Sequence, residues 1–392
     1  MLATQNQGRV PPAHRRRVLA GFLVTTPLPV AALLAIAAAI AGIGGVQVAR
    51  SGGDVAKALA AERPTEDAKT ISLAWAGDIT PGSAYGSLPG DGRTLYAGVR
   101  ERVRGHDVAI GNLEGTLGAG VGAAKCGFGA RNCYSFQASP LAARGLRWAG
   151  FDVLNVANNH SFDYGPDAQM STLKALADAG IQPSGLPGRV RVLRRRGVRV
   201  AVVGVSTYRW TTSMLDPAAI TALVGRAARL GDVVVVVMHA GAEGSDRSVT
   251  PNGPEEYLGE PRGDVRAFAR MAIDVGADAV LGSGPHVLRG MELYRDRIIA
   301  YSLGNFAGVQ NFSTAGHLRL SALLSMRVTR SGAFVAGYLH PLQLDSGGRP
   351  TVDPDAAANA FMRTASERDF PKTAVRIRPS GKLLPPRSPF GD

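Results

Sequence analysis

At 392 residues, 45% of them apolar and 6% aromatic, the chain can bury the core of one large or two ordinary domains. Its net charge of +13 does not indicate a nucleic-acid binder. Only six of the 44 basic residues are lysines, and neither dense run, Arg15-Arg16-Arg17 or Arg189–Arg199, is interleaved with aromatics for base stacking.

The first 17 residues form a basic segment. Val18 to Ala49 follow as 32 residues without a charge. Roughly 20 apolar residues span a bilayer, so 18–49 is expected to be a single transmembrane anchor. The flanking arginines should keep the N-terminus cytoplasmic, with the remainder outside the cell membrane. A cleaved signal peptide is the rival, although its apolar region would be unusually long. Residues 50–70 read as a polar linker.

From Ile71 a βαβ rhythm begins. β-like runs fall at 71–77, 108–112, 152–157, 199–205, 232–238, 279–282 and 298–302, with helix-like segments at 94–104, 138–149, 167–180, 217–230 and 263–276. The five consecutive valines Val233–Val237 suit a strand buried on both faces. Segments 317–330 and 333–344, around Ser331-Gly332, read as an antiparallel hairpin. No helix is expected beyond it, and 346–392 reads as a C-terminal extension that is partly extended. Cys126 and Cys133, the only cysteines, share one Gly-rich loop. Outside the membrane such a pair favours a disulfide over a two-thiolate metal site, which would need further ligands that the segment lacks.

Ligand-type residues end five of the β-like runs: Asp78, Glu114, Asn158-Asn159-His160, His239 and His286. Open α/β sheets bind ligands beyond the carboxyl ends of their strands, so the five point to one site. Each has a plainer role. Asp78 in a Gly-Asp turn suits backbone capping, and Glu114 suits an exposed loop. Asn158 and Asn159 can satisfy loop carbonyls while Asp163 caps the helix opened by Gly165-Pro166. A histidine leaving so apolar a strand as 233–238 is desolvated and neutral, the form that ligates metals. His14, His106, His317 and His340 lack such companions and read as structural or solvated. Oxygen and nitrogen donors without thiolate suit Mn, Fe or Zn rather than Ca. Two carboxylates allow one ion, or two about 3.5–4 Å apart that activate water and hold a leaving oxygen. No Gly-x-Ser-x-Gly elbow, Walker motif or dinucleotide fingerprint is present.

Gly77-Asp78, Asn112-Leu113-Glu114, Ala157–Gly165, His239-Ala240-Gly241, Gly284-Pro285-His286-Val287 and Tyr301–Phe306 together resemble the CapA/PgsA family of poly-γ-glutamate capsule biosynthesis proteins. The resemblance runs from about Ile71 to about Leu344 and implies a domain over 71–345. The implied fold is a four-layer α/β/β/α sandwich of metallophosphoesterase type behind one N-terminal transmembrane helix. It implies Asp78, Glu114, Asn159, His239 and His286 as metal ligands and His160 as general acid; Asn158 is expected to be catalytic with it, and Asn112, Ser283 and Asn305 to face substrate. Two positions depart from the phosphoesterase pattern: Thr80 and Ser283 stand where histidines are usual, which weakens at least one metal position. The function implied is a metal-dependent hydrolase in capsule polymer biosynthesis, acting on a phosphoester or an anionic polymer beside capsule-synthesis membrane subunits. A non-enzymatic, polyanion-binding component of polymer assembly or export is the alternative.

Overall fold

A computed structural model describes residues 70–387, apart from 84–85, 88–89, 119, 128–130 and 310–311. The basic segment 1–17, the expected anchor 18–49 and nearly all of the linker lie outside the described residues. Among the described residues no helix is long and apolar enough to cross a membrane.

The strands that position the site are, in chain order, β1 (Thr70–Thr80), β2 (Val108–Leu113), β3 (Val153–Asn155), β4 (Gln182–Ser184), β5 (Arg191–Arg195), β6 (Val198–Ser206), β7 (Val233–His239), β8 (Ala279–Ser283), β9 (Met291–Tyr294), β10 (Arg297–Ala300), β11 (Asn305–Gly308), β12 (Leu320–Thr329) and β13 (Phe334–Leu344). The longer helices are α1 (Ala142–Ala149), α2 (Gly165–Asp178), α3 (Pro217–Leu230), α4 (Val265–Val275) and α5 (Ala357–Asp369).

β1 is central to a 10-stranded mixed sheet, parallel to β2 and β11 and antiparallel to β12. A second sheet of 6 strands runs β9-β10-β8-β7-β6-β5. Side chains alternate across a strand, and here both faces are buried. Ile71, Leu73 and Trp75 of β1 meet Val200, Val202, Val235, Val237 and Leu281 of the second sheet in one apolar cluster. Ala74, Ala76 and Ala109 on the opposite face pack with residues of α1 and α2. On the far side, Val203, Val234, Val236 and Val280 pack with α3 and α4. The layers therefore run helices, sheet, sheet, helices. The indole of Trp75 joins the sheets directly, donating to the Gly282 carbonyl at 3.3 Å.

Helix 217–230 falls where its periodicity places it, with Asp216 accepting from the amides of Ala218 and Ala219 as N-cap. Segment 94–104 instead divides into two short helices, Arg93–Tyr96 and Arg100–Arg104. The region after the hairpin holds an unexpected helix, α5, whose Ala358 and Met362 enter the core between the sheets. The terminal stretch also carries two short strands, Arg376–Ile377 and Lys382–Leu384, which extend the large sheet past β13.

Candidate metal centre

The parallel strands of both sheets end at the same side of the sandwich, and the polar clusters collect there. Asp78 lies inside β1, where its pairing with β2 and β11 shifts register, a break characteristic of strands beside functional sites. Glu114 is the first residue past β2. His239 is the last residue of β7, paired with Ser283, the last of β8. His286 follows in the turn Gly284-Pro285-His286, held at φ 61. A non-glycine residue in the left-handed region costs on the order of 1–3 kcal/mol and persists only where its surroundings impose it.

Two imidazoles span the two carboxylates. His239 places Nδ1 3.6 Å from Asp78 Oδ1 and Nε2 3.7 Å from Glu114 Oε1. His286 places Nδ1 3.4 Å from Asp78 Oδ2 and Nε2 3.7 Å from Glu114 Oε1. Donor atoms of Asp78, Glu114 and His286 all lie within 4.8 Å of one another. His160 approaches from a third side, Nε2 3.9 Å from Glu114 Oε1.

Asp78, Glu114 and His239 are 0% exposed. Neither Glu114 oxygen nor His239 Nε2 has a hydrogen-bond partner. Buried polar atoms are normally satisfied, and an unpaired buried carboxylate is costly. Burial, with repulsion from Asp78, pushes Glu114 up to about 8. Burial also opposes charge on Asp78, but His239 and His286 outweigh it and hold that carboxyl well below the usual aspartate range. Burial disfavours a charged His286; Glu114 and Asp78 overcome it and push the imidazole up to about 9. With both carboxyl groups ionised, the pair calls for positive charge between them. A divalent cation fits this donor set, supplying that charge without a proton and partnering the orphaned atoms.

Other residues hold the donors from behind. Asn112 Nδ2 donates to Asp78 Oδ1 at 2.8 Å, and the backbone N–H of Gly284 donates to Asp78 Oδ2 at 3.2 Å. Ser283 Oγ lies 3.1 Å from His239 Nδ1, and Asn305 Oδ1 2.8 Å from His286 Nδ1. Asn112, Ser283 and Asn305, expected to face substrate, are only 0–1% exposed and hydrogen-bond Asp78, His239 and His286, fixing how those side chains point. Asn158 is likewise buried: it donates to Asn112 and to the Leu113 carbonyl and accepts from the His160 amide at 3.0 Å. These bonds place the loop that carries His160. Asn159 donates to Glu243 at 3.4 Å, and its own oxygen, expected to ligate metal, is buried and unpartnered like those of Glu114. Thr80, where a histidine is usual in phosphoesterases, has a buried hydroxyl without a partner.

His160 is oriented by Asp163. Its Nδ1 lies 2.7 Å from Asp163 Oδ2, so Nδ1–H donates there and the Nε2 lone pair faces the cluster. Burial keeps the ring neutral, lowered to about 4 against the pull of Asp163. Asp163 is therefore not the cap of α2. Tyr164 is at that N-cap, without a side-chain bond, while Asp163 holds His160. Glu243, four residues after His239, places Oε2 3.6 Å from His286 Nε2 and pairs with the buried guanidinium of Arg262. Beside the cluster opens a cavity of about 520 Å³, lined in part by Lys125, His160, Phe162, Trp210, Tyr257 and Arg262. Glu243, Arg262 and Lys125 escape sequence reasoning. Of these only Glu243 carries a signal, its spacing from His239.

A protein-family model described as "Bacterial capsule synthesis protein PGA_cap" matches residues 72–310, which takes in all of these donors. The chain belongs to this family. Among PGA_cap relatives, the capsule biosynthesis protein CapA of Bacillus anthracis is 28% identical over 63% of this chain and 61% of its own length. The PGA biosynthesis protein CapA of Bacillus subtilis is 30% identical over 50% and 52%. The chain thus spans somewhat over half the length of these curated relatives. A solved 5'-nucleotidase precursor from Thermus thermophilus aligns over 76% of this chain and 59% of that one, at 15% identity and a TM-score of 0.41.

Proposed function

We propose that this PGA_cap protein is a membrane-anchored, extracytoplasmic component of capsule or poly-γ-glutamate-type polymer biosynthesis carrying a metal-dependent hydrolase site of metallophosphoesterase type. The observation that carries the site is Glu114: a fully buried carboxylate with both oxygens unpartnered, faced by the rings of His160, His239 and His286. The names of the CapA relatives support the process, the charge-free run 18–49 supports the anchor, and the helix–sheet–sheet–helix layering agrees with a phosphoesterase-type scaffold. A bound divalent ion would polarise the scissile centre and lower the pKa of water. Asp78, Glu114, His239 and His286 would hold it, and His160 Nε2 would exchange a proton with the leaving or attacking oxygen.

The test is elemental analysis of the purified protein together with hydrolysis of p-nitrophenyl phosphate and bis(p-nitrophenyl) phosphate. Stoichiometric Mn, Fe or Zn is expected, lost in Asp78→Asn and His239→Ala, with turnover abolished by chelator. Metal-free protein whose turnover is insensitive to His160→Ala would end this reading.

One observation favours the alternative, a polyanion-binding component. The edge strand β5 carries Arg191, Arg194 and Arg195 and leads into Arg196 and Arg199; Arg195 shares Asp152 with Arg147, and Arg199 shares Asp232 with Arg330, so cations outnumber the carboxylates here. This reading expects binding to poly-γ-glutamate that weakens with salt and ignores chelators. No binding at low ionic strength would dismiss it.

A further inference from the structure

The two cysteines lie outside the ligand cluster, but their neighbours in the chain touch His160 and Asp163. Cys126 and Cys133 are joined, with Cα atoms 5.7 Å apart. Lys125 immediately precedes the first, and Ser135-Phe136 follow close after the second. Both arms run to Asp163. From one arm, Lys125 donates its backbone N–H to the Asp163 carbonyl at 2.6 Å, and its Nζ stands 2.7 Å from Asp163 Oδ1, an ion pair in distance though not aligned as a hydrogen bond. From the other arm, the Phe136 amide donates to Asp163 Oδ2 at 2.6 Å. The same Oδ2 receives His160 Nδ1.

The arms also touch His160 and its loop directly. The Phe136 ring lies 4.3 Å from the imidazole, centroid to centroid. Lys125 Nζ donates to the Asn159 carbonyl at 3.1 Å and sits 3.4 Å from His160 Nδ1. Across the link, Ser135 Oγ donates to Cys126 Sγ at 3.1 Å. Among the described residues, the stretch between Leu117 and Gln137 contains no helix or strand. Its base is closed by the pairing of Thr116–Leu117 with Gln137–Ala138 and by the Gln137 side chain, which accepts from the Gly120 amide and donates to the Val121 carbonyl, and the disulfide is the covalent link across its tip.

We infer that the Cys126–Cys133 disulfide is the positioning device of His160: it fixes the two arms that grip Asp163, and Asp163 in turn holds the imidazole against the metal-ligand cluster. Lys125, Asp163 and Phe136 are positioning residues for the proposed proton transfer. The inference deepens the hydrolase reading and rests on it for its chemical meaning. The chain is poised when oxidised. A dithiol such as dithiothreitol, itself oxidised to its cyclic disulfide, delivers two electrons and two protons to give two thiols and release the arms.

The experiment compares the full-length, metal-loaded protein before and after that reduction. Carbethoxylation of each histidine by diethyl pyrocarbonate is followed by mass spectrometry, metal content is measured, and bis(p-nitrophenyl) phosphate turnover is recorded. Reduction is expected to raise His160 modification on the order of tenfold or more, as local opening of a short cross-linked segment does. His106 and His340 should keep their rates, the metal should remain, and kcat should fall with KM little changed. The double variant Cys126→Ser/Cys133→Ser should behave like reduced protein, and Lys125→Met should show a smaller version of the same effect. If the double variant does not fold, reduction of the folded wild type decides the matter. An unchanged His160 rate overturns the inference. So does a rise at His106 and His340 in step with His160, because the link would then hold the whole domain and not this side chain. A selective rise at His160 in a protein without turnover, oxidised or reduced, supports the positioning role while the hydrolase reading fails.

Discussion

Glu114 is the residue whose surroundings make least sense without a cation, and its energetics can be measured. A ligand that binds only the folded state stabilises by RT ln(1 + [L]/Kd), about 2.7 kcal/mol at a hundredfold excess over Kd. Wild-type protein should therefore lose several degrees of Tm on chelation, whereas Glu114→Gln should melt at the same temperature with and without chelator; differential scanning fluorimetry reads both. Behind the donors, Asn305→Leu removes the acceptor that orients His286. Loss of such a partner typically costs about 10–100-fold in metal affinity, to be measured by competition with a chromogenic chelator, with little change in the melting of the metal-free protein. Asp78, Glu114, His239 and His286 were legible in the sequence because each terminates a run of apolar residues. The same cue did not separate donors from their supports: Asn112, Ser283 and Asn305 carry it too, and which side of a donor a residue occupies depends on how the two sheets face. Lys125 comes from a loop, and Arg262 from the short strand Glu260–Gly263, and the course of both is a product of the tertiary fold.

At the scale of elements, the close crossing of β1 with the turn before β11 shapes the site. A Cβ on Gly77 would stand 2.0 Å from the Gly304 carbonyl oxygen, the carbonyl that accepts from the Asp78 amide at 3.0 Å. Gly77→Ala should cost about 1–3 kcal/mol, the usual penalty of overpacking, and should displace Asp78 enough to weaken metal binding; urea unfolding and metal titration check the two parts. The β12–β13 hairpin holds His340, whose Nε2 lies 2.8 Å from Ser325 Oγ. Burial, aided by Arg102 and His106, lowers this imidazole from its ordinary 6.5 to about 4. The unfolded chain then takes up a proton that the folded one refuses. The stability is present above pH 6.5 and is lost as pH falls toward 4. His340→Gln should flatten that part of the acid limb of a Tm-against-pH curve. The hairpin and four of the five longer helices could be read from periodicity, within a few residues at their ends. α5 could not. Its N-cap Ala356 is left-handed and offers no capping side chain, the Ala358 amide is instead received by Asp353, and its buried face includes Asn359, Ser366 and Asp369, which blur the apolar stripe.

At the scale of the molecule, α5 and the strands after it belong to the domain, because Met362, Val375, Ile377 and Leu383 are all part of the core between the sheets. Met362→Ala should cost about 2–5 kcal/mol, as large-to-small changes in a core do, measured by chemical denaturation. A chain ending at residue 345 should be recovered mainly in the insoluble fraction.

The donors also come from both halves of the sandwich. Asp78 and Glu114 extend from the large sheet, while His239 and His286 extend from the small one. An ion gripped by all four would act as a rivet driven through the seam. Sliding of one half over the other would then have to break coordination first, and amide hydrogen exchange along β1 and β7 should quicken together when the rivet is withdrawn.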